Sequence, residues 1–373
     1  MKGIRSKGRD IVAVLALVLT LSGVILFAEN LGTRNHYTKY TDAFFDTFDT
    51  VVTVVGYAKS REEFNAYFER IHSRFLELHK MFDIYNGYEG MNNLKTVNDN
   101  AGIAPVKVSK EIVDLILFSK QWYTATGGKT NIALGAMLRI WHDYRERGVD
   151  DPEHAELPPL EELAEAAKHS SIDNVIVDVH NNTVYLADKD MRLDVGAVAK
   201  GFATELVARE LEAGGVTSVL MSAGGNIRAV GFPLDGNRRW WSVGIHDPRK
   251  PMFSTESNLL GVIHIGDGES VATSGGYQRY YLVNGKAYHH IIDPDTLMPA
   301  NRYLSVTVRA RGADVADFLS TTFFVLPYET GRELAKKLQG VDVVWVFPDG
   351  TVVSTPGIEQ SIGIADGPDA KLR

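Results

Sequence analysis

VIVDVHNNTVYLAD (residues 175–188) and VVWVFPDGTVVS (residues 343–354) are the stretches that decide the fold. Each is a pair of short, β-branched runs split by turn residues, and such a pair is a hairpin with antiparallel strands. Further strands are expected at 48–55, 217–222, 239–245, 259–265 and 303–310. Helices are expected between them. In residues 60–82, Phe64, Phe68, Ile71, Phe75, Leu78 and Phe82 recur at three- and four-residue steps and mark an amphipathic core helix. Residues 109–124 follow Ser109 as N-cap, and residues 159–168 follow a Pro-Pro pair. Residues 198–213 end at Gly214-Gly215, and 314–325 close the set. Strand runs joined by hairpins, with helices between the blocks, predict an α+β body with mostly antiparallel sheets rather than a doubly wound parallel sheet.

The chain has 373 residues, room for one large domain or two lobes. Its 39 Lys plus Arg against 47 Asp plus Glu give a net charge of −8, which argues against a nucleic-acid partner. The absence of cysteine excludes disulfides, thiolate metal sites, a Cys nucleophile and lipid attachment through Cys.

Residues 11–28 (IVAVLALVLTLSGVILFA) are uncharged throughout and follow Lys2, Arg5, Lys7 and Arg9. About 20 apolar residues span a bilayer as a helix, so this run is just long enough. The basic tip, residues 1–10, should stay in the cytoplasm, which places the rest of the chain outside. A cleaved signal peptide competes, but Leu26-Phe27-Ala28 is a poor small-x-small site. The expected plan is a single-pass cell-membrane anchor at 11–28, a tether at 29–42, an extracytoplasmic domain at 43–365 and a tail at 366–373.

Chemistry concentrates in a few places. In Leu193-Asp194-Val195-Gly196-Ala197-Val198-Ala199-Lys200-Gly201, an Asp enters a helix through small residues, with a Lys six positions on. Free N–H groups at that helix start suit an anion, although an Asp that merely caps the helix is the commoner arrangement. Gly224-Gly225, and Ser274-Gly275 with Gly276, let a backbone approach a ligand, or form simple turns. His289-His290 precede Ile291-Ile292-Asp293; adjacent strand residues face opposite ways, so at most one imidazole serves a given site. Asp317 and Thr321 share a helix face at a four-residue step, and their oxygens suit a hard cation such as Mg²⁺. The plain alternative is Thr321 bonding back to the Asp317 carbonyl.

The order of these stretches resembles the FAD:protein FMN transferase family, the ApbE proteins. The matching segments are LDVGAVAKGFATE (193–205), SAGGNIRAVG (222–231), SVATSGGYQRYY (270–281), YHHIIDPDTLMP (288–299) and ADFLSTTFFV (316–325). The resemblance implies a T-fold-related, two-lobed body. It also implies an enzyme that cleaves FAD at its diphosphate and joins FMN to a Thr or Ser of a target flavoprotein, releasing AMP. It implies a Mg²⁺ held by the Ala197 carbonyl, Asp317 and Thr321, with His290 as catalytic residue. Implied flavin-dinucleotide contacts are Tyr85, Asp194, Lys200, Gly224, Gly225, Ser274, Gly275, Ile291 and Ile292. Phe48, Thr130 and Asn131 occupy contact positions where this chain departs from the family pattern, Phe48-Asp49-Thr50 replacing Met-Gly-Thr and Thr130-Asn131 replacing Phe-Asp. A divalent ion and Lys200 would offset the diphosphate charge, and a neutral His290 would take the hydroxyl proton. The alternatives are an FAD diphosphatase giving FMN and AMP, and a non-catalytic exported flavin-binding protein.

Overall fold

The computed structural model describes residues 37–251, 258–277 and 279–359. The expected anchor at 11–28, its basic flank and the 366–373 tail lie outside the described residues. Among those described, no helix is long and apolar enough to cross a membrane. β1 (Thr38–Thr47) and β2 (Thr50–Ala58) pair antiparallel, joined by Phe48 and Asp49 at φ of 52° and 50°. Two successive positive φ values make the turn whose twist fits a two-residue hairpin. Two expectations are corrected here. Phe48 starts a turn instead of a strand, and residues 38–42 of the expected tether belong to the sheet. β1 shows no clean alternation because it is an edge strand on which only Phe44 and Thr47 are buried.

α1 (Arg61–Phe82) follows, its start capped by the Ser60 hydroxyl, which accepts from the Glu63 amide at 3.2 Å. Of the six residues the periodicity marked, Phe64, Ile71, Phe75, Leu78 and Phe82 are buried and Phe68 is half-buried. Next come α2 (Leu94–Asp99), β3 (Val106–Lys107), α3 (Lys110–Ala125), α4 (Gly135–Asp150) and α5 (Leu160–Ala167). The 175–188 hairpin forms as β4 (Val175–Asp178) and β5 (Thr183–Leu186), which join β3 in a small sheet. α6 (Ala199–Ala213) ends at Gly214, as its glycine pair required. The hairpins then run β6 (Ser218–Ala223), β7 (Asn226–Gly231), β8 (Trp241–His246) and β9 (Leu259–Ile265). β10 (Glu269–Gly275), β11 (Tyr280–Val283), β12 (Lys286–His289), β13 (Ile292–Asp293), β14 (Met298–Pro299) and β15 (Ser305–Arg311) lead to α7 (Ala313–Val325). α8 (Tyr328–Lys337), the hairpin β16 (Asp342–Val346) and β17 (Val352–Ser354), and α9 (Pro356–Glu359) complete the chain.

The main sheet has eight strands in the order β1-β2-β6-β7-β10-β15-β16-β17, all antiparallel, as the hairpins predicted. Residues 38–58 supply two of these strands and residues 218–354 the other six, so the two expected lobes share one continuous framework. α1, α6 and α7 cover one face. Under them, Val52, Val54, Phe202, Val219 and Met221 fill one core, and Val306, Val308, Phe323 and Trp345 a second. The β8–β9 hairpin lies on the opposite face, where Trp241, Ile263 and Ile265 pack with Tyr57, Val271 and Val344. Each fully buried side chain of this size contributes roughly 1.5–3 kcal/mol. What positions the site is the way α6 and α7 lie side by side on the sheet with their chemically marked residues at one end of it.

Candidate functional site

The α6–α7 crossing is made close by Gly201, where a Cβ would meet the Ala313 carbonyl oxygen and the Asp317 Cβ, each at 2.3 Å. At this contact the Gly201 amide, one of the first-turn amides that have no acceptor within their own helix, donates to Asp317 Oδ2 at 2.8 Å. The Ala197 carbonyl, just before the helix, accepts no hydrogen bond among the described residues. The other groups on Asp317 are the Asn226 side chain and the Lys200 ammonium at 4.0 Å. Burial pushes the Asp317 carboxyl above its usual range, and Lys200, the Gly201 amide and Asn226 pull against that.

Thr321 lies one turn beyond Asp317. Its hydroxyl does not bond back to the helix; Ser320 Oγ takes the Asp317 carbonyl instead, at 2.9 Å. Ser274, at the end of β10, holds both hydroxyls, 2.8 Å from Ser320 Oγ and 3.3 Å from Thr321 Oγ1. The Asp317 carboxylate and the Thr321 hydroxyl, one turn apart on α7, are oxygen donors of the kind that suit a hard cation, as is a free main-chain carbonyl such as that of Ala197.

Two glycine turns close the same end of the sheet. Gly224 and Gly225, at φ of 57° and 92°, join β6 to β7, and Gly224 packs so tightly on Thr50 that its added Cβ would stand 2.4 Å from Oγ1. The Phe48-Asp49 turn is therefore a neighbour of the Gly224-Gly225 turn. After Gly275 the chain passes Arg279, whose guanidinium donates to the Asp49 carbonyl at 3.0 Å.

The two histidines divide, but not by the expected strand alternation: His289 ends β12 and His290 lies in the bend after it. His289 is consumed by the fold: Nε2 donates to the Ala300 carbonyl at 2.8 Å, and Nδ1 accepts from the Ile291 amide at 3.2 Å. His290 makes one bond, from Nδ1 to the Arg279 carbonyl at 3.2 Å. A carbonyl only accepts, so Nδ1 carries the proton and Nε2 keeps a free lone pair. Burial lowers the imidazole pKa to about 3, helped by the nearby charges of Arg279 and Lys200, with the Arg279 carbonyl opposing. His290 is thus a neutral base beside Lys200.

A second cluster surrounds Asp194. Its Oδ1 accepts from the Gly196 amide at 2.8 Å, and burial pushes its carboxyl up while His142 and Arg145 pull it down. Tyr85 is 41% exposed, stacks on His142 at 4.8 Å and has Arg139 5.6 Å from its ring centre. Arg145 donates to His142 Nδ1 at 2.9 Å. A flat, half-exposed ring beside a carboxylate can hold a heteroaromatic ring by its face and edge.

Not every anticipated residue presents its side chain to these clusters. Phe48 packs into α1 against Phe75, His79 and Phe82. Thr130 is buried on the Thr322 hydroxyl at 2.8 Å, one residue round the helix from Thr321. Asn131 fixes a turn, accepting from the Ala133 amide and donating to the Ser170 carbonyl. Ile291 and Ile292 bury their side chains in two different cores. Sequence reasoning missed Asn226, Arg279, His142 and Arg145. Asn226 and Arg279 lay inside the quoted motifs, whereas His142 and Arg145 sit on α4, which was not anticipated because few of its residues are apolar.

The sequence profile of the ApbE family matches residues 48–345. An FAD:protein FMN transferase of Treponema pallidum is 34% identical over 285 residues, 73% of this chain and 75% of that protein. One from Escherichia coli K12 is 28% identical over 271 residues, 72% and 74% respectively. Among solved structures, an ApbE protein of Thermotoga maritima superposes with a TM-score of 0.73 at 27% identity, over 87% of this chain and 99% of that one. A flavinyl transferase ApbE of Pseudomonas stutzeri, in its apo form, shares the fold with a TM-score of 0.70 at 23% identity, over 89% and 98%.

Proposed function

Because this chain belongs to the ApbE family, we propose that it is a Mg²⁺-dependent FAD:protein FMN transferase that joins FMN to a Thr or Ser of a target flavoprotein and releases AMP. The observation that carries this reading is the buried Asp317 carboxylate, which takes a first-turn amide of α6 at Gly201, has Lys200 at 4.0 Å and Thr321 one turn on, while the Ala197 carbonyl just before α6 accepts no hydrogen bond among the described residues. These oxygens fit Mg²⁺, which when bound would neutralise the diphosphate and ease departure of AMP.

The chain's own residues do the rest. Lys200 sets a fixed positive charge beside the diphosphate. Tyr85 and Asp194 grip one flat end of FAD by ring face and carboxylate edge. The Gly224-Gly225 and Ser274-Gly275 backbones let the dinucleotide lie close. His290 Nε2 takes the proton from the incoming hydroxyl as the phosphoester forms, its Nδ1–H anchored on the Arg279 carbonyl. Contacts at Phe48, Thr130, Asn131, Ile291 and Ile292 would be made through main chain or after rearrangement, given how their side chains are engaged. Transfer then rests on position and electrostatics more than on covalent machinery.

The uncharged run at 11–28 supports attachment to the cell membrane with this body on the outer side. The test incubates the full chain in detergent with FAD, Mg²⁺ and a flavoprotein acceptor. An FMN-sized mass gain on an acceptor Thr or Ser, with equal AMP, is expected. FMN and AMP without a modified protein would make the enzyme a diphosphatase, and intact FAD under every metal condition would leave only a binding protein.

A further inference from the structure

Arg279 is used twice in this structure, and its two contacts join segments distant in sequence. Its carbonyl accepts the one hydrogen bond that the His290 imidazole makes among the described residues, and its guanidinium donates to the Asp49 carbonyl in the β1–β2 turn. That turn is held in shape by two consecutive residues at positive φ and by packing of Phe48 against α1. The Asp49 carbonyl is thus a fixed point on the sheet framework. Among the described residues between Gly275, the last residue of β10, and Tyr280, the first of β11, none pairs with a strand.

We propose that Arg279 is a positioning residue for the transfer reaction: its side chain clamps its own backbone to the β1–β2 turn so that its carbonyl fixes the His290 ring with Nε2 free. The proposal rests on the reading of His290 as the proton acceptor and goes beyond it. A base whose proton-bearing nitrogen is anchored presents one lone pair in one direction, the same logic by which a third group orients a catalytic imidazole elsewhere. Here that third group is a main-chain carbonyl, which cannot be removed by substitution, so control falls to the guanidinium that holds it. The planar fork of Arg suits this better than the single point of a Lys ammonium. Three groups act electrostatically on the imidazole, Arg279, Lys200 and His289, and all three favour its neutral form. Arg279 therefore keeps the ring both oriented and unprotonated.

The experiment uses the full chain in detergent, labelled with ¹⁵N-histidine, with the His290 signals assigned by His290→Gln. In the wild type the ring is expected neutral and protonated at Nδ1, titrating well below an ordinary imidazole. In Arg279→Ala the Nδ1 preference should weaken and the titration should move up in pH, because a positive neighbour has gone. Transfer assays with FAD and Mg²⁺ should show kcat down about 10–100-fold, within what a mispositioned general base costs, with the KM for FAD changed less than threefold. Arg279→Lys should restore the titration and recover kcat only in part. Asp49→Pro, which cannot adopt the observed φ, should reproduce the loss of kcat with Arg279 intact, and its fold is checked by circular dichroism. An unchanged His290 tautomer and titration in Arg279→Ala, or a loss that falls wholly on the KM for FAD, would overturn the clamp. A wild-type chain that transfers nothing would sink the proposed function while leaving the ring measurement to judge the clamp.

Discussion

Two stretches of the α6–α7 contact bury acidic side chains, and they treat them in opposite ways. Around Glu205, every oxygen is paired. Oε2 accepts from Arg228 Nε at 2.8 Å and from the Ala313 amide at 2.9 Å, while Oε1 accepts from Arg209 at 2.9 Å and Arg228 Nη2 at 3.3 Å. Burial would raise this carboxyl, but Arg228 overcomes it and holds it below the usual range. Around Asp317, about one turn along the same helix pair, burial wins and the carboxyl is raised. The nearest full charge, Lys200, stands at 4.0 Å, and the neighbouring Ala197 carbonyl accepts nothing among the described residues. A buried carboxylate with complete partners is structure. One that lacks them, in a fold that could have supplied them, is waiting for a ligand.

Removing the carboxylate at the incomplete end tests this most severely. Asp317→Ala should lower Mg²⁺-dependent FAD turnover about 10³-fold or more, at least about 4 kcal/mol of activation free energy. Stability of the metal-free protein should hold or rise. Its carboxyl has a folded pKa above the unfolded value, so its ionised form is a burden that metal-free wild type sheds as pH falls. Calorimetry at pH 5 and pH 8 beside the turnover assay measures both. Retained turnover, or a melting point many degrees lower, would erase the contrast.

The paired end should behave the other way round. Glu205→Ala leaves Arg228, which is 3% exposed, without its main partner. Breaking such a pair costs about 3–5 kcal/mol. Denaturant titration should show that loss, while turnover per folded molecule, measured well below the midpoint, stays within a few-fold. Lost turnover at unchanged stability would mean the network belongs to the site.

Gly201→Ala sits between the two ends and should injure both. The new methyl would have to displace the Ala313 carbonyl and the Asp317 backbone region. Overpacking of this kind costs about 3 kcal/mol at the upper end, and the shift would also carry Asp317 away from the Gly201 amide. Melting temperature and Mg²⁺ affinity, followed by calorimetric titration, should fall together. A stable variant with normal metal affinity would show that the close approach is not what sets the carboxylate.

Which parts of this contrast could be seen in the sequence follows from what a sequence encodes. It encodes faces, so the four-residue step of Asp317 and Thr321 was legible, and each hairpin was read as an antiparallel pair, one in the main sheet and one in the small sheet. It does not encode which side chain will meet the unpaired first-turn amides of a helix, so the bond from Gly201 to Asp317 became visible only with the α6–α7 contact in place. β7 and β10 went unread as strands because their glycine and small-residue motifs masked the alternation. The departures at Phe48 and Asn131 looked like altered ligand contacts, and their side chains serve a turn and a core instead. Arg279 drew no attention because its role is split between a carbonyl and a guanidinium that meet different partners.

The smallest effect probes where the paired end stops. Asp314, in the first turn of α7, is 6% exposed, accepts from the Val315 amide at 2.8 Å and has Arg209 only at 3.6 Å. Burial, with Glu205 nearby, pushes its carboxyl up to about 6. Its folded pKa lies above the unfolded value, so the folded state holds the proton more tightly. Stability from this group is full at low pH and is lost as pH rises through about 6. The loss by pH 7.5 should be about 2 kcal/mol, after discounting for the exposed Arg209 side. Asp314→Asn cannot ionise there, so its unfolding free energy should lack that decline between pH 4 and pH 7.5 while turnover at neutral pH is unaltered. A variant that keeps the wild-type slope would place the titrating group elsewhere. A variant that loses turnover would mean that incomplete pairing at the start of α7 is continuous with the site at Asp317, and that the boundary drawn between the two ends is in the wrong place.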